Sequence, residues 1–411
     1  MTNAASHLDT GPAPGPGRPE SPDEALAAAV AAGKLLVEPY RQWVARQPVP
    51  VVEDFAVDLL AVETAPWDFL GARAALVHVA GRGDWSNIVV TELPPGASTS
   101  PQRHLYEEIV YVLSGHGSTI VEDGAGRRHD VAWGPRSLVG LPLNCRYRHV
   151  NGSGSEPARL ASVTSLPVML NAFRDEEFIL GTSWNFSGRF GDPGRFRGEG
   201  EFVNVAPGRH MWETNVVPDL AEFELPAWAA RGVGSRNLKF VLADSTMHAH
   251  VSEMPVGTYK KGHRHHPDFH VFTVTGHGYS LLWYEGDEDF TRIDWRHGVV
   301  YAPADQQFHQ HFNTAASPAR YLAVAYGGLR YPFTEERRQH FLGVDKSVSE
   351  GGRQIDYADE DPRIRELYQE ELSVSGLTCA MPPVDPARPL PAASHARARP
   401  GADGRSASSA S

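Results

Sequence analysis

Cysteine is almost missing from this chain: its 411 residues include two, Cys145 and Cys379. Two thiols cannot build a multi-bridge framework, so the fold has to rest on buried apolar surface. Long apolar runs are missing as well. The Ala-rich stretch from Ala25 to Ala32 is short and flanked by Asp23, Glu24 and Lys34, too little to span a bilayer. With no secretory leader or lipidation motif in view, the expected location is cytoplasmic. Positive charge is in deficit, since 38 Lys and Arg face 50 Asp and Glu for a formal net charge of -12. That balance argues against nucleic acid or an anionic membrane as partner, because both demand clustered cations. No phosphate loop, dinucleotide fingerprint, Gly-x-Ser-x-Gly elbow or paired-Cys zinc pattern is present, which argues against nucleotide chemistry. A small-molecule substrate is the expected partner.

What the chain does have is glycine (39), proline (32) and histidine (19), with 41% hydrophobic and 9% aromatic residues. This composition predicts a turn-rich, mainly β protein with room for two domains. Ten of the histidines fall between His248 and His311. Their spacing is Gly257-x5-His263-x-His265-x4-His270, followed by Pro303-x5-His309-x3-Asn313. On a strand His263 and His265 point to one face. After a turn over His266-Pro267-Asp268-Phe269, His270 opens the next strand, and His309 comes from a later one. The four meet only if the sheet curls into a barrel. Imidazoles suit Fe, Zn, Cu, Ni or Mn better than Ca or Mg, so a transition metal is expected on His263, His265, His270 and His309. His311 should share the face of His309 and serve as a hydrogen-bonding or acid–base group, with Gln306 and Gln307 as substrate contacts. His248 and His250 read as strand histidines, Trp283, Tyr284 and Trp295 as core, and Lys260 and Lys261 as solvated.

The β region is duplicated. His104 and His265, Gly115 and Gly276, Pro157 and Pro318, and Arg159 and Arg320 are each 161 residues apart, while Asn151 and Asn313 differ by 162. A near-constant offset over this distance signals a repeated domain. In the first copy Gln102 stands where His263 does and Tyr147 where His309 does, leaving Gln102, His104, Glu108 and His149 as a weaker set. A vacant first pocket is expected. The predicted layout is a disordered lead (1–20), a helical and connecting region (21–74) with a helix from Ser21 to Glu38, and a first β domain (75–170). A connector (171–237), a second β domain (238–330) and an extension (331–379) with a helix near 355–372 follow. A disordered tail (380–411) ends the chain.

Gly257-x5-His263-x-His265-x4-His270 with Pro303-x5-His309-x3-Asn313, and the poorer Gln102-x-His104-x3-Glu108-x6-Gly115, resemble the two motifs of the cupin superfamily. The duplication resembles a bicupin, similar in layout to the gentisate 1,2-dioxygenase-like group and to related uncharacterised bicupins. The resemblance implies an all-β fold of two tandem jelly-roll barrels with short flanking helices. It also implies a non-haem Fe(II) dioxygenase taking O2 and a small chelating aromatic or hydroxy acid, and a homodimer or homotetramer. Two other activities stay open: a redox-neutral decarboxylase or isomerase using Mn, Ni or Zn, and a non-catalytic metal or small-ligand binder.

Overall fold

The computed structural model describes residues 21–82, 85–206, 209–266, 269–328 and 330–383, apart from 333, 334, 336, 337, 339–342 and 344. The lead 1–20, the tail beyond 383 and the turn residues Pro267 and Asp268 lie outside the described residues. Contacts divide the chain into residues 1–46 and 47–411. In the smaller unit, helix α1 (Pro22–Ala31) starts on a capping box. The Ser21 hydroxyl accepts from the Glu24 amide (3.2 Å), and the Glu24 carboxylate accepts from the Ser21 amide (3.0 Å). Two otherwise orphaned donors are thereby satisfied. The helix stops at Ala31, short of the expected Glu38, and Gly33 follows in the left-handed region (φ 65°). A short helix α2 (Pro39–Val44) completes this unit.

The larger unit opens with β1 (Val51–Asp54), β2 (Ala56–Asp58), β3 (Ala65–Trp67), β4 (Ala72–Val79) and β5 (Asn87–Leu93). Strands β6 (Glu108–Ser114), β7 (Gly117–Glu122), β8 (Arg128–Trp133), β9 (Leu138–Leu141), β10 (Arg146–Asn151) and β11 (Ala158–Thr164) complete the first copy. Helices α3 (Leu166–Phe173) and α4 (Glu176–Gly181) lead to β12 (Glu201–Ala206), β13 (Arg209–Thr214) and β14 (Val216–Val217). The second copy runs through β15 (Arg236–Leu242), β16 (His248–Met254), β17 (Phe269–Thr275) and β18 (Gly278–Trp283). It closes with β19 (Thr291–Trp295), β20 (Val299–Tyr301), β21 (Phe308–Asn313) and β22 (Ala319–Ala325).

Each copy is a jelly-roll barrel of two sheets. The first faces β4-β5-β11-β6-β9 with β10-β7-β8, and the second faces β15-β16-β22-β17-β20 with β19-β18-β21. The repeat reaches further back than 75 and 238. β1 runs parallel to β4 and β13 parallel to β15, while β2 pairs with β20 of the second barrel and β14 with β9 of the first. The region read as connecting (21–74) and the connector (171–237) therefore both contribute sheet strands, and each lends one strand to the other barrel.

Polar anchors repeat with nearly the same offset. The Asn151 amide donates to the carbonyls of Leu93, Pro94 and Glu156, and the Asn313 amide to those of Met254, Pro255 and Ser317. Arg159 ties Glu92 to the carbonyls of Leu59, Leu60 and Val62, and Arg320 ties Glu253 to those of Leu220 and Phe223. Gly117 and Gly278 are required where strands close: a Cβ would sit 2.0 Å from the Val150 carbonyl oxygen or 1.9 Å from that of Phe312. The apolar faces of the two large sheets share one core that includes Val77, Tyr111, Phe240, Phe272 and Val324.

The last helix, α5 (Pro362–Val374), is capped by Asp361. Its Ile364, Tyr368 and Leu372, one turn apart, are buried with Tyr259, Tyr279 and Phe312. Met381 joins the same cluster, so order continues past 380. Among the described residues no helix is long and apolar enough to cross a membrane.

Candidate metal centre

His263 and His309 face each other across a bridge, the His263 amide donating to the His309 carbonyl (3.0 Å) and the reverse bond spanning 2.8 Å. Alternation then sends His265 and His311 to the same side as these two. The ring centroids of His263 and His309 lie 4.1 Å apart, and those of His265 and His309 4.6 Å. One ligand nitrogen from each of His263, His309 and His311 falls within 4.8 Å of the others, all three being buried. His265 stands beside this trio in the same cavity.

Three of the four rings are oriented by backbone. Nδ1 of His263 meets the Lys261 carbonyl (3.2 Å), that of His265 the His266 carbonyl (2.7 Å), and that of His309 the Gln307 carbonyl (3.2 Å). A carbonyl can only accept, so each Nδ1 carries the proton and each Nε2 keeps its lone pair for a metal. His311 is held differently, its Nδ1 lying 2.8 Å from Ser280 Oγ and 3.2 Å from the Tyr301 hydroxyl. Burial, reinforced by Arg231, pushes His263 well below the usual imidazole range, and burial takes His309 down to about 3. Neutral imidazoles at working pH are the form that ligates. The residues present thus fit a first-row transition metal.

Not every expected residue is in this group. His270 is fully buried but belongs to the opposite face of β17: its neighbours in the strand, Phe269 and Val271, line the cavity, and Arg82 and His78 are the charges that act on it. The histidine count suggested a ligand where strand parity forbids one. Gln307 is also withdrawn from the cavity, its side-chain oxygen accepting from the Ala304 amide (3.1 Å) in the turn. Tyr284 is 43% exposed, outside the core.

The cavity has a volume of ≈ 70 Å³. Lys260, expected in solvent, is 1% exposed and lines it, with Lys239, Arg231, His250 and Trp228. Trp228 and Arg231 come from the connector. No Asp or Glu is among the described lining residues. The Lys260 ammonium donates to Ser252 Oγ (2.9 Å) and the Tyr321 hydroxyl (3.0 Å). Lys239 donates to Asn237 Oδ1 (3.2 Å) and sits 4.5 Å above the Trp228 ring. Burial, with Arg231 and Arg209 added, brings Lys239 down to about 7. Strand alternation around His250 was the signal available for these lysines, but lysine content alone reads as surface.

The first barrel spends its polar groups on itself. His104 Nε2 is 3.1 Å from Glu108 Oε2 and 2.9 Å from the Tyr147 hydroxyl, which donates to the same carboxylate oxygen at 2.7 Å. Burial raises the Glu108 pKa, but the hydrogen bond and charge of His104, with His149 and Ser162, outweigh it and leave the group at about 2. Gln102 turns to the carbonyls of Phe69 (2.9 Å) and Ser100 (3.1 Å), and His149 is bonded to Thr119 (2.8 Å).

Residues 89–164 match the family model for the cupin domain. The first barrel is a cupin domain. Since the second repeats its strands and anchors at a constant offset, the chain is a bicupin of the cupin superfamily. The match does not narrow it to the gentisate 1,2-dioxygenase-like group. No curated protein matches. Among solved structures, a two-residue deletion mutant of Bacillus subtilis oxalate decarboxylase aligns with 16% identity over 67% of this chain and 77% of that one, TM-score 0.43. A second structure of that enzyme, described for its Mn(II) centres, aligns with 16% identity over 67% and 78%, TM-score 0.43.

Proposed function

We propose that this bicupin is a metal-dependent enzyme whose second barrel acts on a small oxygen-rich acid without net redox change, by decarboxylation or isomerisation. The observation that carries the reading is the trio His263, His309 and His311, neutral and buried in a cavity with no carboxylate among its described lining residues. These residues, with His265, would hold a divalent ion such as Mn, Ni or Zn. Bound there, the ion supplies Lewis acidity, undiminished by anionic ligands. The chain's part is to place an acid group between the imidazoles and the amines. Arg231 and Lys260 hold that group, Trp228 and Phe269 give the cavity apolar walls, and Lys239, close to neutrality, can give or take a proton at Nζ.

A second reading, an Fe(II) dioxygenase, is favoured by the same all-imidazole set, which leaves open positions for substrate and O2. The two part on one experiment. The full chain is loaded anaerobically with Fe(II), or in air with Mn(II), and offered small hydroxy and keto acids and catechols while dissolved O2 and CO2 are followed. Turnover without O2 loss supports the redox-neutral reading; stoichiometric O2 uptake replaces it with the dioxygenase.

A further inference from the structure

Among the described residues, the charges facing the cavity are of one sign. Lys239 and Lys260 are 8% and 1% exposed, and the acceptors of their hydrogen bonds, Asn237, Ser252 and Tyr321, are all neutral. The acid that acts on both, Asp345, is bonded to Arg209 (2.8 Å). Burying an ammonium group without an anion costs several kcal/mol. Burial, with Arg231 added, accordingly lowers both amines, Lys239 to about 7 and Lys260 well below the ordinary lysine range, so a ligand that gives one acid group to the imidazole set and a second to the amines holds them protonated, which a monocarboxylate bound at the imidazoles cannot do. The size of the space, ≈ 70 Å³, sets the other limit and favours a compact ligand over a long one.

We propose that the ligand of the second barrel is a compact dianion, a short-chain dicarboxylate or its close analogue, with one acid group before His263, His309 and His311 and the other on the ammonium groups of Lys239 and Lys260. This rests on the metal-centre reading above. It adds a residue-level account of selectivity: the lysines count charges, and the cavity restricts chain length. Trp228 supports the lysine end, lying 4.5 Å from the Lys239 ammonium and 5.7 Å from that of Lys260. The face of the indole partly offsets the charge when no ligand is bound.

The test is calorimetric titration of the full chain loaded with Mn(II), with malonate and acetate at equal ionic strength, alongside metal per chain and thermal melts. Malonate should bind about tenfold or more tightly than acetate. In Lys239→Met the preference should fall below about threefold with Mn(II) content unchanged, and Lys239→Arg should restore it. Equal binding of malonate and acetate by the Mn(II)-loaded protein overturns the proposal, as does a preference that survives Lys239→Met. A wild-type chain that retains no Mn(II) overturns the metal-centre reading and this one together, so the two failures are told apart by the metal assay.

Discussion

Phe269 occupies in the second barrel the place that Glu108 holds in the first. Glu108 pairs with Thr164 and Phe269 with Ala325, each 161 residues on. Likewise Gln102 faces Tyr147 as His263 faces His309. One copy has kept an acid and given up imidazoles, and the other has done the reverse. The first therefore closes on itself through hydrogen bonds, while the second keeps its nitrogen lone pairs for something else.

Returning an acid to this place should strengthen metal binding. Phe269→Glu is expected to retain Mn(II) or Zn(II) against about tenfold more chelator than wild type, and to bind malonate less well because one negative charge is now built in. Metal per chain after dialysis against graded chelator reads the first, calorimetry the second. No gain in retention would mean that Phe269 does not face the trio.

Removing ligands should separate His270 from the rest. His263→Ala and His309→Ala are expected to lose the bound metal. His270→Ala should keep it but lower stability by about 2–4 kcal/mol through the cavity left between packed sheets. Elemental analysis and urea unfolding of the three variants decide this; metal loss in His270→Ala would return that residue to the ligand set.

In the first barrel, Tyr147→Phe removes the hydroxyl shared by Glu108 and His104. The expected outcome is unchanged metal content and a loss of about 1–3 kcal/mol in stability. Metal halved by this substitution, or by His104→Ala, would place a second centre in the first barrel.

Glu360 should give the protein a pH-dependent stability. It is buried, accepts hydrogen bonds from the Tyr259 hydroxyl and from Gln310 (3.1 Å), and has its pKa raised to about 7 by burial despite those donors. Because the folded value lies above the unfolded one, the contribution is fully present below pH 4.5. It is lost as pH rises through about 7, an order of 3 kcal/mol at most. Urea unfolding between pH 5 and 8 should show the decline, and Glu360→Gln should flatten it. An equal slope in both proteins would assign the decline to another group.

The barrels and their duplication were legible because long strands alternate visibly and because pairs such as Arg159 and Arg320 recur at one offset. β2 and β14 were not, since strands of three and two residues carry no period and their partners lie far away in sequence. Within the site, strand parity placed His263, His265 and His309 together, and the same rule applied to the repeat would have excluded His270 by matching it to Ile109. Lys260 was read as solvated because a lysine in a polar run reads so, whereas its ammonium turns inward to the hydroxyls of Ser252 and Tyr321.

The exchange of β2 and β14 bears on how such a chain can be divided. A half consisting of residues 47–170 would leave β9 with a bare edge and its own β2 with nothing to pair with. The other half would have the same pair of defects in β20 and β14. Two copies of either half could cure each other by trading these arms. The single chain thus has the form of an arm-exchanged dimer whose two subunits have been joined end to end, and a cut in the connector should leave halves that stay associated.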